Sequence, residues 1–174
     1  MKMVQTGFFI FVICSVIGWV WEVLLTFVVY GSLVNRGMLY GPWLPIYGVG
    51  ALAVLFIAKH GHSGGSVFLL SGLGCGFLEY MTSLVMEYVW KARWWNYGGI
   101  FSVNGRINLF VIVIFGCIGL FFYYIVVPNL QWIQRTLAVP LTTITLIFFV
   151  MIAADYIYSQ IHPNIAAISS HRPF

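Results

Sequence analysis

Long apolar runs follow one another along the chain, and most of them are long enough to cross a bilayer as a helix. Such a helix needs about 20 mainly apolar residues, because hydrocarbon offers no partner to the backbone polar groups. Basic, Gly and Pro residues separate the runs. They predict five spans, at residues 6–30, 43–58, 66–90, 108–128 and 137–159, followed by a tail at 160–174. We therefore expect an all-α, polytopic membrane protein that forms one integral membrane domain over residues 1–174.

The second run differs from the others because it is short and interrupted. It opens at Pro42, Trp43 and Pro45, and it carries Gly48 and Gly50. The pattern predicts a span that begins as a broken or re-entrant segment. Irregular backbone of this kind is tolerated at membrane depth only where protein or water covers it.

Composition narrows the class of protein further. Of the 174 residues, 61% are hydrophobic and only 7% are charged, which excludes an ordinary soluble domain. The net charge of +4 comes from basic residues scattered over several loops, so no basic stripe suited to nucleic acid is formed. Cys14, Cys75 and Cys117 lie inside predicted spans and indicate packing rather than a disulfide framework.

Every carboxylate of the chain falls within an apolar run, at Glu22, Glu79, Glu87 and Asp155. A charged side chain at the centre of a spanning helix costs about 2.5 to 3.5 kcal/mol on insertion scales. Ionisable groups kept in such positions usually line a polar path or a binding site. The placement therefore predicts a polar site inside the membrane domain.

Two helical stripes carry most of these carboxylates. In the third span, small and polar residues recur at every fourth position: Ser71, Cys75, Glu79, Ser83 and Glu87. The first span repeats the arrangement more weakly, at Ser15, Gly18, Glu22 and Thr26. Such stripes face protein or water rather than lipid, and small residues let membrane helices approach closely. We expect the first and third spans to face each other.

Two polar loops, at residues 31–42 and 91–107, are predicted on one face of the membrane. Their arginines could pair with the helix carboxylates or clamp an anionic group. Their aromatic residues could stack on a ligand or mark the membrane interface. An Asn and Arg pair occurs in each loop, which hints at a duplicated two-helix unit. The combined substrate-binding set is Glu22, Asn35, Arg36, Glu79, Ser83, Glu87, Arg93, Trp95, Asn104 and Arg106.

The remaining motifs indicate no catalytic residue, metal site or cofactor. Residues 61–65 match G-x-S-x-G, but a nucleophile elbow needs a strand-to-helix turn on a sheet, which this pattern lacks. His60 and His62 share a loop without a nearby acid, whereas a metal needs several converging ligands. Gly72, Gly74 and Gly76 lie within a span and favour helix packing over dinucleotide binding.

Five stretches together resemble a known family. They are GWVWEVL at 18–24, NRGMLYGPWLPIYGVGA at 35–51, EYMTS at 79–83, RWWNY at 93–97 and NGRI at 104–107. They resemble the CmpB-like, ABC-transporter type IV proteins of bacterial membranes, over roughly residues 7–120. The family motifs fall on Glu22, Asn35, Arg36, Gly37, Gly41, Pro42, Glu79, Trp95, Asn104, Gly105 and Arg106. Asn96 stands where the family has an Asp.

The resemblance implies a multi-pass protein of the bacterial cytoplasmic (inner) membrane with a role in transport. We expect a transporter or permease subunit whose polar site takes a small molecule or a lipid headgroup. The sequence has no G-x-x-x-x-G-K-[ST] loop, so energy would come from a separate ATPase subunit. Membrane lipids and a second copy of the chain are the other expected partners.

Three alternatives stay open at this point. The first is a membrane-embedded enzyme that acts on a lipid or isoprenoid headgroup, with a carboxylate as general base. The second is a structural or assembly protein of the membrane. In the third, the charged residues form a buried ion-pair network that only fixes the register of the helices.

Overall fold

The structure is a computed structural model that describes residues 2–35, 37–91, 93–99, 101–136, 140–162 and 164. The predicted site residue Arg36 lies outside the described residues, as does most of the tail. The helices are α1 (Lys2–Tyr30), α2 (Pro45–His60), α3 (Gly64–Trp90), α4 (Leu109–Phe121), α5 (Val127–Thr136) and α6 (Pro140–Ile161). A π-helical turn at Phe122–Val126 joins α4 to α5, and two short strands, β1 (Ser102–Val103) and β2 (Ile107–Asn108), form an antiparallel hairpin.

The predicted fold class is confirmed. Among the described residues, four helical stretches are long and apolar enough to cross a membrane: Met3–Val29, Gly64–Val89, Leu109–Thr136 and Thr143–Ile161. The apolar helix α2 is shorter, with 16 residues. The chain is therefore a multi-pass helical membrane protein, and its second predicted span is the short one.

Residues 129–136, which lie between the fourth and fifth predicted spans, are helical. Pro128 has no N–H to donate and its ring crowds the preceding turn, so it would break a regular helix. The π-helical turn directly before it widens the helix and accommodates the proline. The continuous helix from Leu109 to Thr136 has 28 residues, about 42 Å at 1.5 Å per residue, against a hydrocarbon core of about 30 Å. Its polar last turns, with Gln134 and Arg135, are therefore long enough to extend into the headgroup region.

The described chain folds as two compact units. Among the described residues, unit 1 comprises those within 2–49 and 132–164, and unit 2 comprises those within 50–131. In unit 1, α1 packs against α6, with the rings of Phe8 and Phe149 6.1 Å apart. The prediction of one membrane domain over the whole chain stays a prediction.

Unit 2 is built on the packing of α3 against α4. A side chain at Gly72 would lie 2.8 Å from the Ile112 carbonyl oxygen, and one at Gly116 would collide with the ring of Phe68. Only glycine allows the two backbones to approach this closely. Ser63 begins α3 with a capping box to Ser66. Gly72 thus serves helix packing, as the sequence predicts.

Candidate functional site

The second span begins in the middle of the membrane-spanning part of unit 1. The N–H of Leu44 donates a hydrogen bond of 3.0 Å to the carbonyl oxygen of Ser15, which lies near the midpoint of α1. Helix α2 starts at the next residue, Pro45. Residues 31–35 and 37–44 are non-helical, and the segment that contains them returns from the end of α1 to its midpoint, over about 22 Å at 1.5 Å of rise per residue of α1. The broken start that the proline and glycine pattern predicts is present.

Glycines let the first turn of α2 lie directly on α1. A side chain at Gly18 would collide with the ring of Tyr47, and one at Gly48 would collide with Phe11 and with the hydroxyl of Ser15. The tyrosine hydroxyl donates a 2.7 Å hydrogen bond to the Glu22 carboxylate. The close approach therefore places a polar contact on the first polar stripe.

Asp155 accepts hydrogen bonds from two backbone N–H groups of the non-helical segment and from one of its indole groups. One carboxylate oxygen accepts hydrogen bonds from the backbone of Tyr40 (3.0 Å) and from the Ser159 hydroxyl (3.3 Å). The other accepts from the backbone of Gly41 (2.9 Å) and from the indole of Trp43 (2.8 Å). Backbone groups at membrane depth need such partners, because lipid offers none. We call Asp155 and these four partners the loop anchor.

The Asn35 side chain donates hydrogen bonds to carbonyl groups of the same segment. Its side-chain amide donates to the carbonyl oxygen of Tyr40 at 2.9 Å and to that of Leu39 at 3.4 Å. Its oxygen accepts a 2.6 Å hydrogen bond from the indole of Trp19 on α1. The side chain thus ties the start of the segment both to α1 and to the segment's own backbone.

In unit 2, the polar loop before α4 folds into the β1–β2 hairpin. Asn104 and Gly105 have φ angles of +52° and +70°, the pair of positive values that a type I′ turn requires. The N–H of Arg106 closes the turn on the carbonyl oxygen of Val103 at 3.0 Å. The turn therefore fixes the backbone of Arg106, whose carbonyl oxygen accepts from the Trp95 indole at 3.0 Å.

The buried residue Arg106, 7% exposed, organises a group of charges near the end of α3. One guanidinium nitrogen donates to the Ser83 hydroxyl at 2.8 Å, and the other pairs with the Glu87 carboxylate. The same carboxylate oxygen lies 3.6 Å from the Arg93 side chain. We call Ser83, Glu87, Arg93 and Arg106 the hairpin cluster.

The hairpin cluster opens onto a depression on unit 2. The depression has a volume of about 410 Å³ and is lined by Leu84, Glu87, Tyr88, Lys91 and Arg106. Lys91 is exposed in the left-handed position that ends α3, with its ammonium 4.7 Å from the centre of the Tyr88 ring. Two basic groups and one acid therefore share its wall.

The hairpin loop also reaches the middle of α3. The Tyr97 hydroxyl donates a 2.6 Å hydrogen bond to Glu79, and the Asn104 amide donates to the Tyr80 hydroxyl at 3.2 Å. Glu22 in unit 1 and Glu79 in unit 2 thus share one feature, a tyrosine hydroxyl from a following segment.

The described members of the predicted set fall into two groups. Unit 1 holds Glu22 and Asn35, and unit 2 holds Glu79, Ser83, Glu87, Arg93, Trp95, Asn104 and Arg106. Contacts within unit 2 bring Ser83, Glu87, Arg93 and Arg106 together. The prediction that the first and third spans face each other concerns both units and stays a prediction, as does binding of a substrate by the full set.

Sequence reasoning left Asp155, Tyr47 and Tyr97 out of the candidate set. An acid in the last span was a visible signal, and so was a Gly-Pro segment whose N–H groups would need acceptors inside the membrane. The pairing itself joins residues 112 to 115 positions apart. No local pattern encodes a separation of that size.

Comparison with known protein families gives a match over most of the chain. The model of a family described as "Putative ABC-transporter type IV" matches residues 9–160. The match runs past residue 120, where the resemblance in the sequence ended, and it includes α6 with Asp155. No curated protein and no solved structure matches the chain.

Proposed function

Because the chain belongs to the ABC-transporter type IV family, we propose that it is a permease subunit that carries a polar solute across the bacterial cytoplasmic membrane. The observation that carries this proposal is the break in the second span, where non-helical backbone meets the midpoint of α1. A helix that served only as a membrane anchor would gain nothing from such a break, which leaves backbone groups to be satisfied by side chains. Transporters commonly place solute sites at discontinuous helices near the bilayer midplane.

Glu22 is the residue that we expect to contact the solute. It is partly exposed, and it lies on the α1 stripe against which the first turn of α2 packs. Tyr47 holds one carboxylate oxygen at 2.7 Å and so orients the group. A carboxylate in this position favours a solute with a cationic or hydrogen-bond-donating group. Asn35 and the loop anchor would keep the surrounding segment in place.

A separate ATPase is the partner that this function requires. ATP-driven transport needs a phosphate-binding loop, and the sequence contains no G-x-x-x-x-G-K-[ST] motif. The small size of the chain also favours assembly with a second copy or with other subunits. Both associations belong to the proposal.

Native mass spectrometry of the tagged protein, purified from its own membranes in mild detergent, tests the proposal. We expect the wild type to carry an ATPase subunit and a small polar molecule. Glu22→Gln removes the charge but keeps the shape, so it should retain the ATPase and lose the small molecule. Lys59→Gln is the matched control, because it changes an exposed charge at the end of α2, and it should retain both.

Two results would contradict the proposal. If the protein is recovered at normal yield without an ATPase subunit, also after cross-linking in the intact membrane, the proposed ATPase partner is wrong. A small molecule that stays bound to the Glu22→Gln variant would show that Glu22 does not bind the solute. A lipid converted to product by the purified chain alone would support the enzyme alternative instead.

A further inference from the structure

The end of α3 carries more positive charge than its own acid can balance. Lys91, Arg93 and Arg106 supply three positive charges, against the single carboxylate of Glu87. The C-terminus of a helix adds about half a negative charge from its carbonyl groups. A surplus of about one and a half positive charges remains by this count. A pure ion-pair network would need no such surplus.

The contacts within the hairpin cluster hold Arg106 ready for a ligand. Ser83 and Glu87 each take one donor from the guanidinium, and the turn at Asn104 and Gly105 fixes its backbone. A guanidinium has five N–H donors in a rigid fork that matches the oxygens of a phosphate. An arginine held in this way loses little side-chain freedom when an anion binds.

The depression lies where lipid headgroups are found. The apolar spanning part of α3 ends at Val89, and Lys91 follows in the last position before the loop. Tyr88 lines the depression, and the Trp95 indole donates a hydrogen bond to the backbone carbonyl oxygen of Arg106. Aromatic and basic residues at the end of a span mark the membrane interface, where phosphate groups are concentrated.

We propose that the depression at the end of α3 binds a phosphate group, supplied by an anionic phospholipid of the surrounding leaflet. Arg106 contacts the phosphate oxygens, and Lys91 contributes a point charge from the rim. Glu87 orients Arg106 and at the same time competes with the phosphate for it. This site lies within unit 2 and uses neither Glu22, which the proposed function assigns to the solute, nor Asn35 and the loop anchor.

The test measures lipid binding by native mass spectrometry, with the purified protein titrated with phosphatidylglycerol or with phosphatidylcholine. The wild type should bind one phosphatidylglycerol at least several-fold more tightly than phosphatidylcholine. Lys91→Gln should lower the affinity for phosphatidylglycerol about fivefold, the effect of removing one nearby charge from a solvent-exposed site. Lys59→Gln, an exposed lysine at the end of α2, should leave the affinity unchanged.

Glu87→Gln is the more decisive variant, because we expect its affinity for phosphatidylglycerol to increase. Glutamine keeps the shape and an acceptor for Arg106 but removes the competing charge, so phosphatidylglycerol should bind several-fold more tightly. A variant that merely unfolds cannot bind its ligand more tightly. Thermal unfolding of each variant in detergent confirms that the compared proteins are folded.

Titration with inorganic phosphate distinguishes a lipid headgroup from soluble phosphate as the source of the bound phosphate group. If millimolar phosphate binds with the same dependence on Lys91 and Glu87 while neither lipid is preferred, the site takes soluble phosphate. Equal affinity for both lipids and no phosphate binding would overturn the proposal, and so would a Glu87→Gln variant without any gain. None of these outcomes depends on an ATPase partner or on Glu22, so this site and the proposed function can fail separately.

Discussion

Residues of one type on one helix stripe have different roles in unit 2. Ser71 and Ser83 both lie on the polar stripe of α3, and both are buried. The Ser71 hydroxyl makes no hydrogen bond to any described residue and packs against Gly119. The Ser83 hydroxyl accepts from Arg106 at 2.8 Å. The stripe predicts that both serines face protein or water rather than lipid, and both are buried, but it does not distinguish packing from recognition.

Alanine substitutions should separate these roles. Ser83→Ala removes the hydrogen bond to a charged group, so we expect the free energy of unfolding to fall by about 1.5 to 3 kcal/mol. Ser71→Ala removes a hydroxyl that has no described partner, so its free energy of unfolding should stay equal or rise slightly. Titration with a denaturing detergent, followed by circular dichroism, measures both. Equal losses in the two variants would show that Ser83 only fills space.

At the scale of elements, the hairpin was visible in the sequence but was not predicted. Asn-Gly is the strongest short-range signal for a two-strand turn, and it stands at 104–105. In a chain dominated by apolar helices, the same residues suggest polar contacts with a ligand. In the structure, Asn104 and Gly105 adopt the positive φ angles of a turn, and this turn positions Arg106.

Gly105→Ala should therefore disrupt the hairpin cluster although it replaces no charged residue. Alanine at a φ of +70° is strained by about 1 to 3 kcal/mol, and its side chain would also collide with Asn96. Gly98→Ala is the control in the same loop, because no atom lies within 4 Å of its added carbon. We expect the first variant to lower the thermal midpoint and expose Arg106 to chemical labelling, and the second to behave as wild type. Wild-type labelling of Gly105→Ala would mean that the turn does not position the arginine.

The loop anchor is the other element that local patterns did not reveal. The Asp155 carboxylate receives N–H donors at both oxygens. Asp155→Asn would turn an amide NH₂ towards one of these donors, and an unsatisfied buried donor costs about 1 to 3 kcal/mol. We expect hydrogen exchange at the amides of Tyr40 and Gly41 to accelerate by roughly tenfold or more.

Ser159→Ala is the matched control for this prediction. It removes only the 3.3 Å hydroxyl contact and leaves both carboxylate oxygens for the loop. Exchange at Tyr40 and Gly41 should then stay within about a factor of two of wild type. Unchanged exchange in Asp155→Asn would show that the segment is held by its apolar packing, with Leu39 and Trp43 buried, rather than by the carboxylate.

At the scale of the molecule, apolar runs predicted the helices because length and hydrophobicity are local properties. They also predicted that α2 begins at a break, since Pro and Gly stand in the run itself. They did not predict the helix at 129–136, because a π-helical turn that accommodates Pro128 has no clear sequence pattern. The pairing of carboxylates with distant partners also stayed hidden, since Glu22 meets Tyr47 and Glu79 meets Tyr97 only through the turns between them.

The number of membrane crossings follows from the depth at which α2 begins. Leu44 lies beside Ser15, 13 residues or about 20 Å of helix from the start of α1. Gly48 packs on Phe11, so α2 runs towards that start, and its 16 residues span about 24 Å. We therefore predict that the non-helical segment and α2 together complete a crossing, which gives five crossings with the start of α1 and the end of α6 on opposite faces. Reporter fusions after Ser32 and after His62 should report opposite sides of the membrane, and the site after His62 should share the side of the N-terminus. If both fusions report one side, α2 returns to the face from which the chain entered, and four crossings remain.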